Sequence, residues 1–486
     1  MSEGKMNASA LPQKPSHNKQ ATPKELIRGL CITAIVVIIC LLLPLDFISE
    51  NANLGLAVVL GVMSMWIQGY FPIVVNLFIM VLVGIACGFF TLKDVQSTFG
   101  SSQFLTLVGF SIMAMGAEHT KFAKRVAYNF LKKWGKSPSL IMLALGLATA
   151  VISAFVSNTV AALIVAGIAA SILAAMGEKP GSSPLGKAVM LIIPIFAMLG
   201  GSILMSGANM NLLGIGALES ASEGAYTISY GSWAVVGIVG FLILAIPIWW
   251  IYIKIMKADK IKTDVDLKTV DEGLQELGGW SFAETRWIVT CAAMIILLIS
   301  GVLSLQIAAL LGAVITMCPV IGTVNAKKAM SNLPLQLLFM VGLGPLISNI
   351  LTNCGIGQYA VGSMFSWAAH MPVVVFMLVV ALIYTFFNTI FPNAASGLIV
   401  AYVSLLTPMV MGMGLNPAFI VAPVCFLSSN HHAMGMNVSS IITYDYGYWK
   451  MKDCVIPGII TEVIIAVVYV LICYFLFPLT GMPIRI

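Results

Sequence analysis

Between Ser137 and Met176 the chain carries no Lys, Arg, Asp or Glu. The stretch is dominated by apolar side chains and is about twice the roughly 20 residues that one bilayer crossing needs. At its middle lies Ala154-Phe155-Val156-Ser157-Asn158-Thr159-Val160-Ala161-Ala162. The polar triplet Ser157-Asn158-Thr159 leaves two solutions. One is a buried polar kink in a long helix. The other is two helical arms meeting at a buried tip. In the second, Ser157 caps the returning arm, whose first N–H groups and positive dipole end face outward from the tip. Such a tip binds an anion without a buried cation.

The rest of the composition agrees with a membrane setting. Of 486 residues, 59% are hydrophobic and 9% are charged, against about 25% charged in soluble domains. The apolar runs are continuous, which fits helices and not the alternating strands of an outer-membrane barrel. The fold class expected is an all-α polytopic membrane protein with about 11 transmembrane helices plus two re-entrant hairpins. A net charge of +6 then reports basic cytoplasmic loops and implies no nucleic-acid partner. The nine Cys form no Cys-x-x-Cys pair and read as small apolar residues. Residues 1–25 are polar, lack a signal-peptide pattern and read as a disordered cytoplasmic tail.

In chain order, scaffold helices 1–3 occupy 26–102, and a first repeat occupies 103–256 with its hairpin at 138–176. An amphipathic cytoplasmic segment covers 257–286, and helices 7 and 8 lie in 287–334. A second repeat runs over 335–486, with a hairpin at 371–411 and a final helix. Within these, single spans are expected over 335–352 and 416–432. The basic tail, the cluster Lys121 to Lys136, the 257–268 loop, Lys327-Lys328 and Lys450-Lys452 all fall on one side if the hairpins return to their starting side. The positive-inside rule makes that side cytoplasmic, with the N-terminus inside and the C-terminus outside. Counting a hairpin as two crossings preserves parity, so charge alone does not exclude about thirteen spans. The location implied is the inner or plasma membrane, multi-pass.

The halves resemble each other. Offset by 235 positions, Ser157-Asn158-Thr159…Leu163-Ile164-Val165 falls on Pro392-Asn393-Ala394…Leu398-Ile399-Val400 without a gap. Gln103…Val108-Gly109 matches Gln336…Val341-Gly342, and each hairpin is followed by a broken helix, one ending at Met210-Asn211 and one at Met436-Asn437. An odd number of crossings between the copies makes them inverted, and paired broken helices in inverted repeats place a binding site at mid-membrane.

No Lys, Arg, Asp or Glu falls on either tip or break. Glu118, Asp445 and Glu462 read as structural or interfacial, being near span ends or on other helices. The site chemistry is therefore amide, hydroxyl, backbone and helix N-terminus. It suits a small anion, with Na⁺ held by freed backbone carbonyls. His431-His432 either satisfy the broken backbone or supply a cation by protonation. Walker A, zincin and haem motifs are absent from the sequence, so ATP coupling and enzymatic chemistry are unsupported and no cofactor is expected.

These features together resemble the divalent anion/sodium symporters, which carry di- and tricarboxylates or sulfate. The likeness spans nearly the whole chain, and Ser157-Asn158-Thr159 matches that family's first tip. It implies a homodimer in which a transport domain moves against a scaffold as an elevator. It places Ser157, Asn158 and Thr159, with Asn393 and Ala394, on the substrate, beside Asn211 and Asn437 at the breaks. One Na⁺ would sit among Ser153, Ser157, Asn158 and the backbone near Gly207, and a second among Asn388, Asn393 and the backbone near Ala433. The sequence departs at Pro392-Asn393-Ala394, which lacks both hydroxyls, and at Met210 and Met436, which replace prolines. Na⁺-coupled transport of a succinate, malate, fumarate, 2-oxoglutarate or citrate class of anion is the first expectation. Na⁺-independent exchange, transport of sulfate, and an anion channel are the alternatives.

Overall fold

Helices begin where capping residues meet the apolar runs. Thr22 and Glu25 form a capping box ahead of Pro23, Ser137 caps Pro138, and Ser183 caps Pro184. The computed structural model describes residues 22–45, 47–68, 71, 73–258, 268–340, 342–356, 359, 371–392 and 395–486. In chain order come α1 (Pro23–Leu42), α2 (Ala52–Gln68), α3 (Ile73–Ala86), α4 (Leu92–Phe99), α5 (Ser102–Glu118) and α6 (Phe122–Trp134). The first hairpin is α7 (Pro138–Ser153) and α8 (Asn158–Ala175). The first broken helix is α9 (Pro184–Gly201), a 3₁₀ turn (Met205–Gly207) and α10 (Asn209–Ala221). Then follow α11 (Tyr230–Met256), α12 (Lys268–Leu277), α13 (Phe282–Ile299), α14 (Leu305–Met317), α15 (Ala326–Ser331), α16 (Leu335–Met340) and α17 (Leu343–Asn353). The second half closes with α18 (Val373–Ile390), α19 (Ala395–Gly412), α20 (Pro417–Leu427), α21 (Val438–Tyr444) and α22 (Met451–Leu476).

Nine stretches among the described residues are long and apolar enough to cross a membrane, and the chain is a multi-pass membrane protein. At 1.5 Å per residue, α7 is about 24 Å long, short of a hydrocarbon core of roughly 30 Å. The arms α7 and α8 both pack on α9, which is buried along almost its whole length. Every residue of α20 is buried too, between α18, α19 and α22. The two broken helices are thus interior posts. By contrast α1 turns Ile27, Ile35, Ile38, Ile39 and Leu42 outward, as a lipid-facing helix does.

Three expectations change. The basic stretch 121–136 is mostly a helix, α6, with Phe122, Ala127 and Leu131 buried and its lysines outward. The span expected over 335–352 is two short helices, α16 and α17. The span expected over 416–432 stops at Leu427, because other groups take the bonds that would extend it. The Asn388 amide donates to Leu427 O and Ser428 O, both at 3.3 Å, and the His432 N–H donates to Glu462. Parts of the tail (1–21) and of the amphipathic segment (259–267) lie outside the described residues; α12 forms the rest of that segment's core.

A buried ion pair ties α6 to α13. Arg125 Nε donates to Glu284 Oε1 at 3.1 Å, with side-chain exposures of 7% and 0%. The remaining guanidinium donors reach Gly278 O and Gly279 O at 2.9 Å. Removing one partner strands the other charge. Glu284→Ala is therefore expected to cost about 3–5 kcal/mol, measured as a lowered thermal unfolding midpoint in detergent, whereas exposed Lys132→Ala, which loses only the surface pair with Asp271, costs about 0–1 kcal/mol.

Candidate functional site

The first tip forms as the sequence requires. Ser157 is the N-cap of α8, its Oγ accepting from Val160 N at 3.4 Å. The N–H groups of Asn158 and Thr159 in the first turn have no intrahelical acceptor. Behind the tip, Ser153 Oγ lies 2.8 Å from Asn158 Oδ1 and 2.6 Å from Ala197 O. One hydroxyl hydrogen faces two acceptors there, so the point is rich in oxygen lone pairs. The α9 backbone closes on the same amide, and a Cβ on Gly201 would stand 2.2 Å from Asn158 Oδ1.

Side-chain amides hold both breaks open. Asn211 Nδ2 donates to Gly201 O at 2.9 Å and Leu204 O at 3.2 Å, carbonyls that a continuous helix would spend on later N–H groups. Asn388 does this for α20, and Asn437 donates to His431 O at 3.0 Å while capping α21 through Ser440 N at 2.8 Å. Because the nitrogens of Asn211, Asn388 and Asn430 face carbonyls, their oxygens point elsewhere, and Asn211 Oδ1, Asn388 Oδ1 and Asn430 Oδ1 are buried without a partner among the described residues. The breaks touch: Asn430 Nδ2 donates to Ser202 Oγ at 3.2 Å and Phe426 O at 2.7 Å. Trp233 donates to Ser202 O at 3.1 Å and stacks on Phe426 at 3.9 Å, which stacks on Tyr469 at 4.6 Å.

Ser153 and Asn388 stand 235 positions apart, the same offset as Asn158 and Asn393, and each donates to carbonyls near the end of its own broken helix. Asn393 and Ala394, expected at the second tip, lie outside the described residues. His431 and His432 are buried, with His431 Nδ1 and both ring nitrogens of His432 unpartnered among the described residues.

A cavity of about 460 Å³ opens at the first tip. Ser157, Asn158 and Thr159 line it with Ser206, Gly207 and Asn209 of the first break and Ser429 of the second. Across from them α5 contributes Ser111 and Glu118, and the loop before α16 adds Asn332. Asn211, Asn437, Ser153, Asn388, Ala433 and the two histidines are not part of the lining. The lining has no Lys or Arg among the described residues. The groups it offers to a ligand are therefore amides, hydroxyls and the α8 N-terminus.

The sequence reading missed Ser111 and Ser429, buried hydroxyls without partners, because single serines in apolar runs are common. Glu462, read from the sequence as structural or interfacial, bonds to backbone of the second break. That carboxylate is 3% exposed in the middle of α22 and reaches the second break, where Oε1 accepts the backbone N–H of His432 and, at 2.9 Å, that of Ala433. The available signal was a lone acid within a long apolar run, itself a marker of function.

A family model described as citrate transporter matches residues 47–429. The sodium-dependent dicarboxylate transporter SdcS of Staphylococcus aureus (strain USA300) is 21% identical over 451 residues, covering 87% of this chain and 86% of SdcS. Na⁺/dicarboxylate cotransporter 3 of Mus musculus is 20% identical over 325 residues, and the match takes in 56% of this chain and about half, 53%, of the mouse protein's length. Two solved transporters share the fold: MtrF of Neisseria gonorrhoeae, of a class of antimetabolite efflux pumps, at TM-score 0.56 and 14% identity over 81% of this chain and 85% of MtrF, and YdaH of Alcanivorax borkumensis at TM-score 0.52 and 12% identity over 81% of this chain and 89% of YdaH.

The contact between α9 and the tip is testable on its own. Gly201→Ala drives a methyl carbon into the Asn158 amide and is expected to lower the thermal midpoint by the equivalent of about 1–3 kcal/mol. Gly167→Ala on α8, with only the Tyr446 hydroxyl 3.7 Å from its Cβ, is expected to be neutral or slightly stabilising.

Proposed function

This chain belongs to the citrate transporter family, and from that membership we propose that it is a secondary active carrier of small di- or tricarboxylate anions, coupled to Na⁺ and working as an elevator. The observation that carries the reading is the first tip. Asn158 and Thr159, in the first turn of α8 beside the Ser157 cap, line a cavity with no Lys or Arg among the described residues. A substrate carboxylate docks on that helix N-terminus. Ser157 and Thr159 fix its orientation, and Ser429 and Ser111 supply donors to the far end of the anion. In this reading Asn393 and Ala394 form the matching second tip, and Asn211 and Asn437 hold the break loops at the height of the substrate.

Na⁺ belongs behind the tip. Ser153 Oγ, Asn158 Oδ1 and Ala197 O converge with one hydrogen among them, and the Asn211 Oδ1 at the same break has no partner. Such a set of hard oxygens suits a small monovalent cation, with Ser157 and the backbone near Gly207 completing it. Bound there, Na⁺ offsets both the charge of the anion and the repulsion from Glu118 at the cavity rim. Relatives that are sodium-dependent dicarboxylate carriers support the same coupling. The inverted halves would let the second tip present the site to the opposite side, with the N-terminus cytoplasmic, the C-terminus outside and two copies joined through the scaffold.

Na⁺-independent exchange in the same fold is separated by experiment. Purified protein in proteoliposomes is expected to accumulate labelled succinate or citrate at least about tenfold faster with an inward Na⁺ gradient than with choline. Asn158→Ala is expected to remove at least about 90% of uptake, the loss of one strong anion contact. Equal rates in Na⁺ and choline would remove Na⁺ coupling from the reading. Normal uptake by Asn158→Ala would remove the site.

A further inference from the structure

The two halves differ at one contact that their shared pattern does not require. Each long helix after a break approaches it through a glycine. A Cβ on Gly237 of α11 would stand 2.3 Å from Ile203 O at the first break, and one on Gly458 of α22 would stand 2.4 Å from Ala433 Cα at the second. One turn further along, α11 carries Phe241 and α22 carries Glu462. The second break therefore holds a carboxylate where the first has a phenyl ring.

Glu462 lies in the span of α22, and its salt-bridge partner is absent among the described residues. Oε1 is occupied by the N–H groups of His432 and Ala433. Oε2 lies 2.5 Å from Thr389 Oγ1, at the end of α18. The Thr389 oxygen is also 2.8 Å from Thr385 O, its own helix carbonyl. A threonine has one hydroxyl hydrogen, so it cannot donate to both. Two arrangements satisfy every atom. With Glu462 ionised, Thr389 donates to Oε2 and leaves Thr385 O to the helix. With Glu462 protonated, Oε2–H donates to Thr389 Oγ1, and the Thr389 hydrogen turns to Thr385 O.

We propose that Glu462 is a proton-binding site of the transport cycle, standing at the second break where a second cation was expected, with Thr389 as the hydroxyl that switches with its charge. The proposal deepens the carrier reading and rests on it for the word cycle alone. A metal ion suits the place poorly, because one carboxylate oxygen already faces two N–H donors that would repel it. A proton needs only the free edge of Oε2. The switch is tied to the second hairpin, since Asn388 beside Thr389 holds the end of α20 and its Oδ1 has no partner among the described residues. Protonation removes a buried negative charge from the second break.

The elements packed against α22 carry few titratable groups besides Tyr230 at the far end of α11. From α11 come Tyr252, which is buried, and Lys254, which is exposed. The break itself gives His431 and His432, α20 gives Cys425, and α18 gives Tyr384 and no charged side chain. On α22, Cys454 donates to Ala433 O at 3.3 Å, and Asp453 is paired with Lys187 at 3.1 Å.

Two measurements test the proposal. In infrared difference spectra of the full purified chain between about pH 5 and about pH 9, a protonated carboxyl band is expected to titrate in the wild type and to be missing in Glu462→Gln. Thr389→Val, which removes the switching hydroxyl, is expected to move that titration. In proteoliposomes an imposed pH gradient is expected to change the rate of labelled succinate or citrate uptake about tenfold, and Glu462→Gln is expected to bring that ratio to about one. A band that does not titrate, or that persists in Glu462→Gln, overturns the proton site. A pH-gradient ratio equal in wild type and Glu462→Gln overturns its place in transport. A wild type that moves neither anion under any gradient defeats the carrier reading instead, while the infrared result still decides the site.

Discussion

The structure depends on how broken backbone is satisfied inside a membrane. Two helices stop in the protein interior, at Gly201 and Leu427, and each stop frees carbonyls and N–H groups that lipid cannot bond. The chain answers with side-chain amides. Asn211 and Asn388 take carbonyls that would have continued the helix, and Asn437 does so for the following loop. Each amide spends its nitrogen on the backbone, and for Asn211 and Asn388 this leaves the oxygen bare. The same amide that stabilises the break therefore leaves an unpartnered buried oxygen there among the described residues.

Packing explains why the breaks keep their shape. The posts α9 and α20 are enclosed by hairpin arms on one side and by long helices on the other. The Trp233–Phe426–Tyr469 stack runs directly across the meeting point of the two breaks, and the Asn430–Ser202 bond joins them. The two breaks thus share an aromatic stack and a buried hydrogen bond. This contact gives a physical route by which ion occupancy at one half would bias the other.

The halves share a plan and differ in chemistry. In the first, hydroxyl and amide oxygens gather behind a helix N-terminus. In the second, a carboxylate supplied by α22 already fills the N–H groups of the break. Offsets in sequence pair Ser153 with Asn388, and each donates near the end of a broken helix. They could not predict the difference, because Glu462 arrives from a helix about thirty residues downstream of His432 and carries no mark of its destination.

The sequence by itself determined the class of molecule, the first hairpin and its polar tip, and the family. These follow from local facts: charge-free length, a serine able to cap, and a repeated order of apolar runs, each read within one stretch of chain. Helix ends were legible where a capping residue preceded a run, as at Ser137, and were misjudged at Leu427, where the terminator is the distant Asn388. Only the tertiary structure decided which polar groups share a wall. Ser111, Ser429 and Glu118 join the tip at one cavity, while Asn211 and Asn437 turn away from it to brace the backbone. The reason is physical: a helix exposes its residues in all directions around its axis, and in a chain so uniformly apolar only packing against neighbours fixes which direction faces the site.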